Sequence, residues 1–376
     1  MFEAGAELKE KYGEENVFDL SLGNPVMEPP PEFREELRRL VENPPAGMHR
    51  YMSNAGYAET RLAVAAQLSA ETGISFTPDD VVMTCGAAGA LNVVLKTILN
   101  QGDEVIIFAP YFPEYTNYVD NHGGIVRIFA TDDKFIPRLD ILEANIGVKT
   151  RAVVINSPNN PTGVVYGEDF VRRLGELLHR KSADFGRPIF LLSDEAYRKI
   201  IYDGQKYPCI WPYYQQSIAV TSHSKDLALA GERIGYIAIH PDCQGRDELV
   251  SGFIYCNRTL GYVNAPALMQ RIVGKLQSVT VAISEYQAKR DFLYRHLTDM
   301  GYSVVKPGGA FYMFPRSPVA DDLAFVRELQ RWRVLAVPGC GFGAPGYFRI
   351  AYCVSDETLR GSLTGLRQAA QKFNLC

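Results

Sequence analysis

Residues 79–110, DDVVMTCGAAGALNVVLKTILNQGDEVIIFAP, decide the fold. Two short apolar runs flank a segment in which Leu91, Val94, Leu95 and Ile98 recur at helical spacing, so the stretch predicts strand, helix, strand. The alternation continues through GGIVRIFA (123–130), TRAVVINSP (150–158), a helix with Phe170, Val171, Leu174, Leu177 and Leu178 on one face, IFLLSDEAY (189–197), SIAVTSHS (217–224) and GYIAIH (235–240). Short apolar runs separated by amphipathic helices predict an α/β fold, with a mostly parallel sheet sandwiched by helices. The binding crevice of such a sheet lies beyond the carboxyl ends of its strands, so polar residues just past each run are the candidates for function.

The flanks read differently. Toward the amino terminus a charged, helix-like segment (1–16) precedes VFDLSLGNPVMEPPPEF (17–33), whose prolines force a loop; a second helix then follows Gly56, with Leu62, Ala65 and Ala66 on one face. Beyond residue 260, one or two long helices across 264–301 lead into GYSVVKP, GGAFYMF, a helix around 321–330, RVLAVP and YFRIAYC, the pattern of a smaller α+β domain. The expected division is 23–266 for the large domain and 1–22 plus 267–376 for the small one.

The 376 residues carry a net charge of -4 with both signs interspersed, which leaves no basic stripe for nucleic acid and no polybasic membrane anchor. Seven cysteines without C-x-x-C or His/Cys spacing argue against a disulfide framework and a zinc site. The charged amino terminus lacks the apolar run of a signal peptide, so a cytoplasmic location and small-molecule chemistry are expected. Gly341 to Gly346 spell G-x-G-x-x-G, but the next segment reads as a strand, which rules out a dinucleotide fingerprint.

The strand ends carry a coherent set of groups. Gly86, Ala87 and Ala88 open a helix straight after a strand, where free N–H groups suit a phosphate; a tight turn would need the same glycine. Asp194 ends an apolar run, where a carboxylate demands a cation; an N-cap or a salt bridge is the plainer role. Tyr197 follows one helical turn later, and Asn160 lies in an Asn-Asn-Pro-Thr-Gly turn. Lys225 ends another run among Ser222, Ser224 and Arg233; taken alone it is an ordinary solvated lysine, and with these partners it is an amine placed for carbonyl chemistry beside a phosphate grip.

SLGNP, GAAGAL, APYFPEY, NSPNNPTG, SDEAY, SHSK with GERIGY, and GYFRIAY occur in this order, and together they resemble the class I/II (aspartate-aminotransferase-like) pyridoxal-phosphate enzymes over nearly the whole chain. The resemblance implies a seven-stranded-type sheet in the large domain and pyridoxal 5'-phosphate as cofactor. It implies Lys225 as the Schiff-base lysine, Asp194 as partner of the pyridine nitrogen, and Tyr197 and Asn160 as partners of the ring oxygen. Phe112 would stack on the ring. Gly86, Ala87, Ala88, Ser222 and Arg233 would hold the phosphate, with Tyr51 reaching it from the neighbouring subunit of a homodimer. Arg349 and the Gly23 N–H would bind the substrate α-carboxylate. Cis bonds at Ala109-Pro110 and Asn160-Pro161 are further implications; the family usually carries an extra amino-terminal arm, a departure that leaves the arm's dimer contacts open for this chain.

The activity so implied is ping-pong amino transfer between an L-amino acid and a 2-oxo acid. A carbon-sulfur β-lyase of the same fold is the alternative. A cofactor-bearing transcriptional regulator is remote, since it needs a DNA-binding domain ahead of residue 20. Aspartate and aromatic or branched amino acids all stay open as donor, with Arg50, Arg258 and Arg271 as candidate partners for a side-chain carboxylate.

Overall fold

The computed structural model describes residues 2–375; Met1 and Cys376, both counted in the small domain above, lie outside the described residues. Seven strands form the main sheet: β1 (Val81–Thr84), β2 (Glu104–Ala109), β3 (Ile125–Ala130), β4 (Thr150–Asn156), β5 (Phe190–Asp194), β6 (Ser217–Ser222) and β7 (Gly235–Ile239). Their spatial order is β1-β7-β6-β5-β4-β2-β3, parallel except for β7, which runs antiparallel to both neighbours.

Alternate residues of each inner strand serve opposite cores. Val105, Ile107, Val154 and Ile218 pack with helices Gly86–Ile98 and Arg246–Thr259. Ile106, Phe108, Val153 and Ala219 pack with helices Ala58–Thr72, Glu168–Phe185 and Ala267–Val273. This two-sided burial is why the strands read as unbroken apolar runs. The edge strand β3 is the exception, with Ile125 and Ile128 exposed. All five apolar residues expected on one face of helix Glu168–Phe185 are buried; truncating Leu174 to Ala would cost about 2–5 kcal/mol.

Helix Ala58–Thr72 corrects the expected face. Its buried row is Thr60, Val64 and Leu68 with Ala65 beside it, whereas Leu62 and Ala66 point outward. A four-residue step keeps residues in one row, and 62–66 is the row opposite to 60–64–68.

A third core gathers Tyr286, Leu293, Leu297, Phe325, Leu329, Leu359 and Leu366 around a three-stranded antiparallel sheet, in which Phe348–Ala351 lies between Val337–Pro338 and Tyr312–Met313. The stretch 264–301 forms two helices, and only the second, Ile283–Asp299, joins this core. GYSVVKP forms no strand: among the described residues one backbone bond, Arg316 N–H to Ser303 O, is all the cross-strand pairing it makes. The G-x-G-x-x-G stretch runs into Phe348–Ala351, a strand and not a helix. Phe18–Asp19 pairs in parallel with Val334–Leu335, so the chain passes from this unit through Leu20 toward Gly23 at the edge of the main sheet.

Candidate active site

Strands β4, β5 and β6 end together, Asn156 beside Asp194 and Asp194 beside Val220. Asn160, Tyr197 and Lys225 therefore leave the sheet at one edge. The reversed β7 supplies what parallel strands could not. Its first residue, Gly235, pairs with Thr84 at the end of β1 and with Ser222 at the end of β6. Arg233, which precedes β7, thus meets the residues that follow β1.

A cavity of about 300 Å³ opens at this edge. Gly23, Ala87, Ala88, Phe112, Asn160, Asp194, Tyr197, Ser222, Lys225, Arg233 and Arg349 all line it, and Ser224 does too. Gly86 sits just behind the wall. Its φ of +74° is a left-handed conformation, and a Cβ there would stand 3.0 Å from Arg233 Nη2, so glycine lets the arginine close on the helix start. Tyr51 is not in the cavity: it is 88% exposed. Arg50, Arg258 and Arg271 do not line it either. Arg50 and Arg258 are exposed, and Arg271 pairs with Glu59 at 3.3 Å and covers the Tyr57 ring. Ala109-Pro110 and Asn160-Pro161 are cis, as is Ser157-Pro158.

Three groups here are held in unusual states. Lys225 Nζ donates to Gly23 O at 2.7 Å, and its pKa falls to about 8, chiefly through burial and then through the Arg233 and Arg349 charges. Asp194 is pushed up to about 6 by burial, against the pull of a 2.5 Å hydrogen bond donated by Tyr115 Oη to Oδ2. Its other oxygen, Oδ1, is buried with no hydrogen-bond partner of ordinary geometry among the described residues, and the Ala196 N–H adds only a smaller pull on the carboxylate. Arg349 donates from Nη1 to Asn160 Oδ1 at 2.9 Å and from Nη2 to Ser21 O at 2.6 Å. Each of these nitrogens keeps a second N–H.

The sequence reasoning missed three residues. Tyr115 lies in the quoted APYFPEY, one helical turn past Phe112, whose ring it meets edge-on at 5.5 Å. Asn156 ends β4, donates to Asp194 O at 3.0 Å and accepts from the Asn160 N–H at 2.7 Å. Both stand inside motifs already singled out. Tyr312 comes from the third core, bonds Tyr197 Oη at 2.9 Å and lines the cavity; no local pattern marks it.

A family profile described as aminotransferase class I and II matches residues 15–366. The chain belongs to the class I and II aminotransferases. A probable aspartate/prephenate aminotransferase of Thermus aquaticus is 33% identical over 94% of this chain and 91% of its own length. A probable aspartate aminotransferase of Methanocaldococcus jannaschii is 30% identical over 93% and 92%. The crystal structure of an amino transferase from Eubacterium rectale superposes with a TM-score of 0.96 at 40% identity, covering 99% of this chain and 94% of that one. Thermotoga maritima aspartate aminotransferase gives 0.87 at 29%, covering 98% and 95%. The protein is accordingly a pyridoxal-phosphate-dependent aminotransferase acting on amino acid and 2-oxo acid substrates. Among the described residues of this aminotransferase, no helix is long and apolar enough to cross a membrane.

Proposed function

We propose that this cavity is where amino transfer takes place, with pyridoxal 5'-phosphate seated against β5 and β6. The observation that carries the reading is Asp194 Oδ1, a buried, unpartnered carboxylate oxygen in the same cavity as the Lys225 amine. A lone buried carboxylate is costly, and a protonated pyridine nitrogen is the counter-charge it lacks. Bound there, the cofactor supplies a carbonyl for amine exchange and a ring that accepts electron density.

The remaining roles belong to the chain. Lys225 is the amine that would hold the cofactor's carbonyl carbon, and as a neutral amine it would take the proton from the substrate α-carbon, which its pKa of about 8 makes feasible near neutral pH. Arg349, held in orientation by Asn160 and the Ser21 carbonyl, offers its free N–H groups to the substrate α-carboxylate as a fork, with the Gly23 N–H beside it. Gly86, Ala87, Ala88, Ser222 and Arg233 would hold the phosphate, Phe112 would cover the ring, and Tyr197 and Asn160 would meet the ring oxygen. One site serving both half reactions gives ping-pong kinetics.

The 88% exposure of Tyr51 suits a residue that completes the partner's phosphate site in a homodimer. Val281 and helix Ile283–Asp299 pack with the third core while Met269, Ile272 and Val273 pack on the sheet, so we place the domain boundary near residue 280 instead of 266. The cytoplasm is the proposed location. For the donor we favour an aromatic or branched amino acid over aspartate. A second chamber of about 290 Å³ shares Phe112 and Arg349 with the cavity and adds Leu22, Pro113, Val337 and Phe342, with Glu114 as its carboxylate. That lining favours apolar side chains, and it adds no cation beyond Arg349 to pair with a side-chain carboxylate. The test is an absorbance-monitored half reaction of the loaded enzyme against a panel of amino acids. Conversion by aromatic and branched donors supports the reading. Conversion by aspartate alone overturns the donor, and ammonia with pyruvate from cystathionine without a 2-oxo acid acceptor would mark β-elimination instead.

A further inference from the structure

Tyr312 brings the third core into the cavity. Its hydroxyl lies 2.9 Å from Tyr197 Oη, its ring faces the Arg349 guanidinium at 4.7 Å, and it is 2% exposed. A Cβ built on Gly23 would stand 1.9 Å from Tyr312 Oη, so the glycine backbone lies directly against that hydroxyl.

Two hydroxyls at this separation have one proton between them. If Tyr197 donates, the Tyr312 proton finds no acceptor, because the Tyr312 hydroxyl makes no other hydrogen bond among the described residues. A buried donor without an acceptor is costly. If Tyr312 donates, both protons are used: Tyr312 bonds Tyr197, and Tyr197 points its own proton into the cavity. We propose that Tyr312 is a positioning residue that donates to Tyr197 Oη and so turns the Tyr197 proton toward the cofactor's ring oxygen. Burial raises the pKa of both hydroxyls, which keeps the two protons in place near neutral pH. The relay rests on the role proposed above for Tyr197. It also ties that hydroxyl, through the Tyr312 ring, to the arginine that meets the substrate.

The test is the pH titration of the visible absorbance of the loaded enzyme, for the native protein, Tyr312→Phe, Tyr197→Phe and the double variant. A weaker donor leaves the ring oxygen more basic, so the midpoint rises in Tyr312→Phe, by about 0.5–1 pH unit on the usual worth of one hydrogen bond. Tyr197→Phe moves it further in the same direction, and the double variant matches Tyr197→Phe alone, because the relay has no route except through Tyr197. Additive shifts, or an unmoved midpoint in Tyr312→Phe beside a moved one in Tyr197→Phe, remove the relay and leave the role of Tyr197 standing. An unmoved midpoint in Tyr197→Phe removes both. Should Tyr312→Phe fail to fold, Gly23→Ala displaces the same hydroxyl and raises the midpoint likewise; no shift there overturns the relay.

Discussion

Replacing Asp194 with asparagine separates folding from cofactor binding, because the two make opposite demands on this carboxylate. Burial raises its pKa from the ordinary 3.8 to about 6, so in the ligand-free protein the ionised form is disfavoured. A carboxyl that holds its proton more tightly when folded gives stability that is complete below pH 4 and lost as the pH rises through about 6. At 1.36 kcal/mol per pH unit, the ionised group at pH 7.5 costs about 3 kcal/mol. Asparagine keeps an acceptor for Tyr115 and carries no charge, so the ligand-free variant should gain up to that amount. For a chain of this length that corresponds to a rise in Tm of about 4 °C. The loaded enzyme should behave the opposite way: losing the counter-charge of the pyridine nitrogen weakens cofactor binding by about 100-fold or more. The assay is thermal melting of both ligand-free proteins at pH 5, 6 and 7.5 and one protomer concentration, followed by cofactor titration. The variant's advantage should be about 3 kcal/mol at pH 7.5, fall to about half of that at pH 5, and vanish only below pH 4. An advantage that does not vary with pH, or cofactor affinity equal to that of the native enzyme, would refute the reasoning.

Lys225→Ala should abolish multiple turnover, and borohydride reduction should no longer fix the cofactor to the chain; near-normal turnover defeats the assignment. In the ligand-free enzyme, labelling of Lys225 by an amine-directed reagent should rise through about pH 8, the neutral amine being the nucleophile, and a midpoint near 10.5 would show that burial does not lower it. Arg349→Lys exchanges a fork for a point charge and should raise the amino acid KM about 100-fold with a smaller effect on kcat, measured by steady-state kinetics. Mixed dimers of Tyr51→Phe and Lys225→Ala should regain activity, to about a quarter of the native maximum, since each hybrid then has one intact site; no recovery above the parent variants places Tyr51 in its own subunit's site.

By itself the sequence determined the strand–helix alternation, since burial on both sheet faces writes unbroken apolar runs into local composition. It also placed Asp194, Asn160 and Lys225 just beyond such runs, and the strand ends then aligned them. Period-based reasoning failed where one helix row competes with its opposite, at Leu62 and Ala66, and where a run such as GYSVVKP finds no ladder partner. Only the tertiary structure decided that β7 runs backward, which carries Arg233 to the helix start at Gly86. Only it set Tyr115 against Asp194 and Tyr312 against Tyr197, Arg349 and Gly23. Those contacts join residues 37 to 289 positions apart, and nothing in the neighbourhood of either partner records them. Strand pairing and side-chain packing between distant segments are decided by the whole core at once, whereas periodicity and turn chemistry are decided by the next few residues.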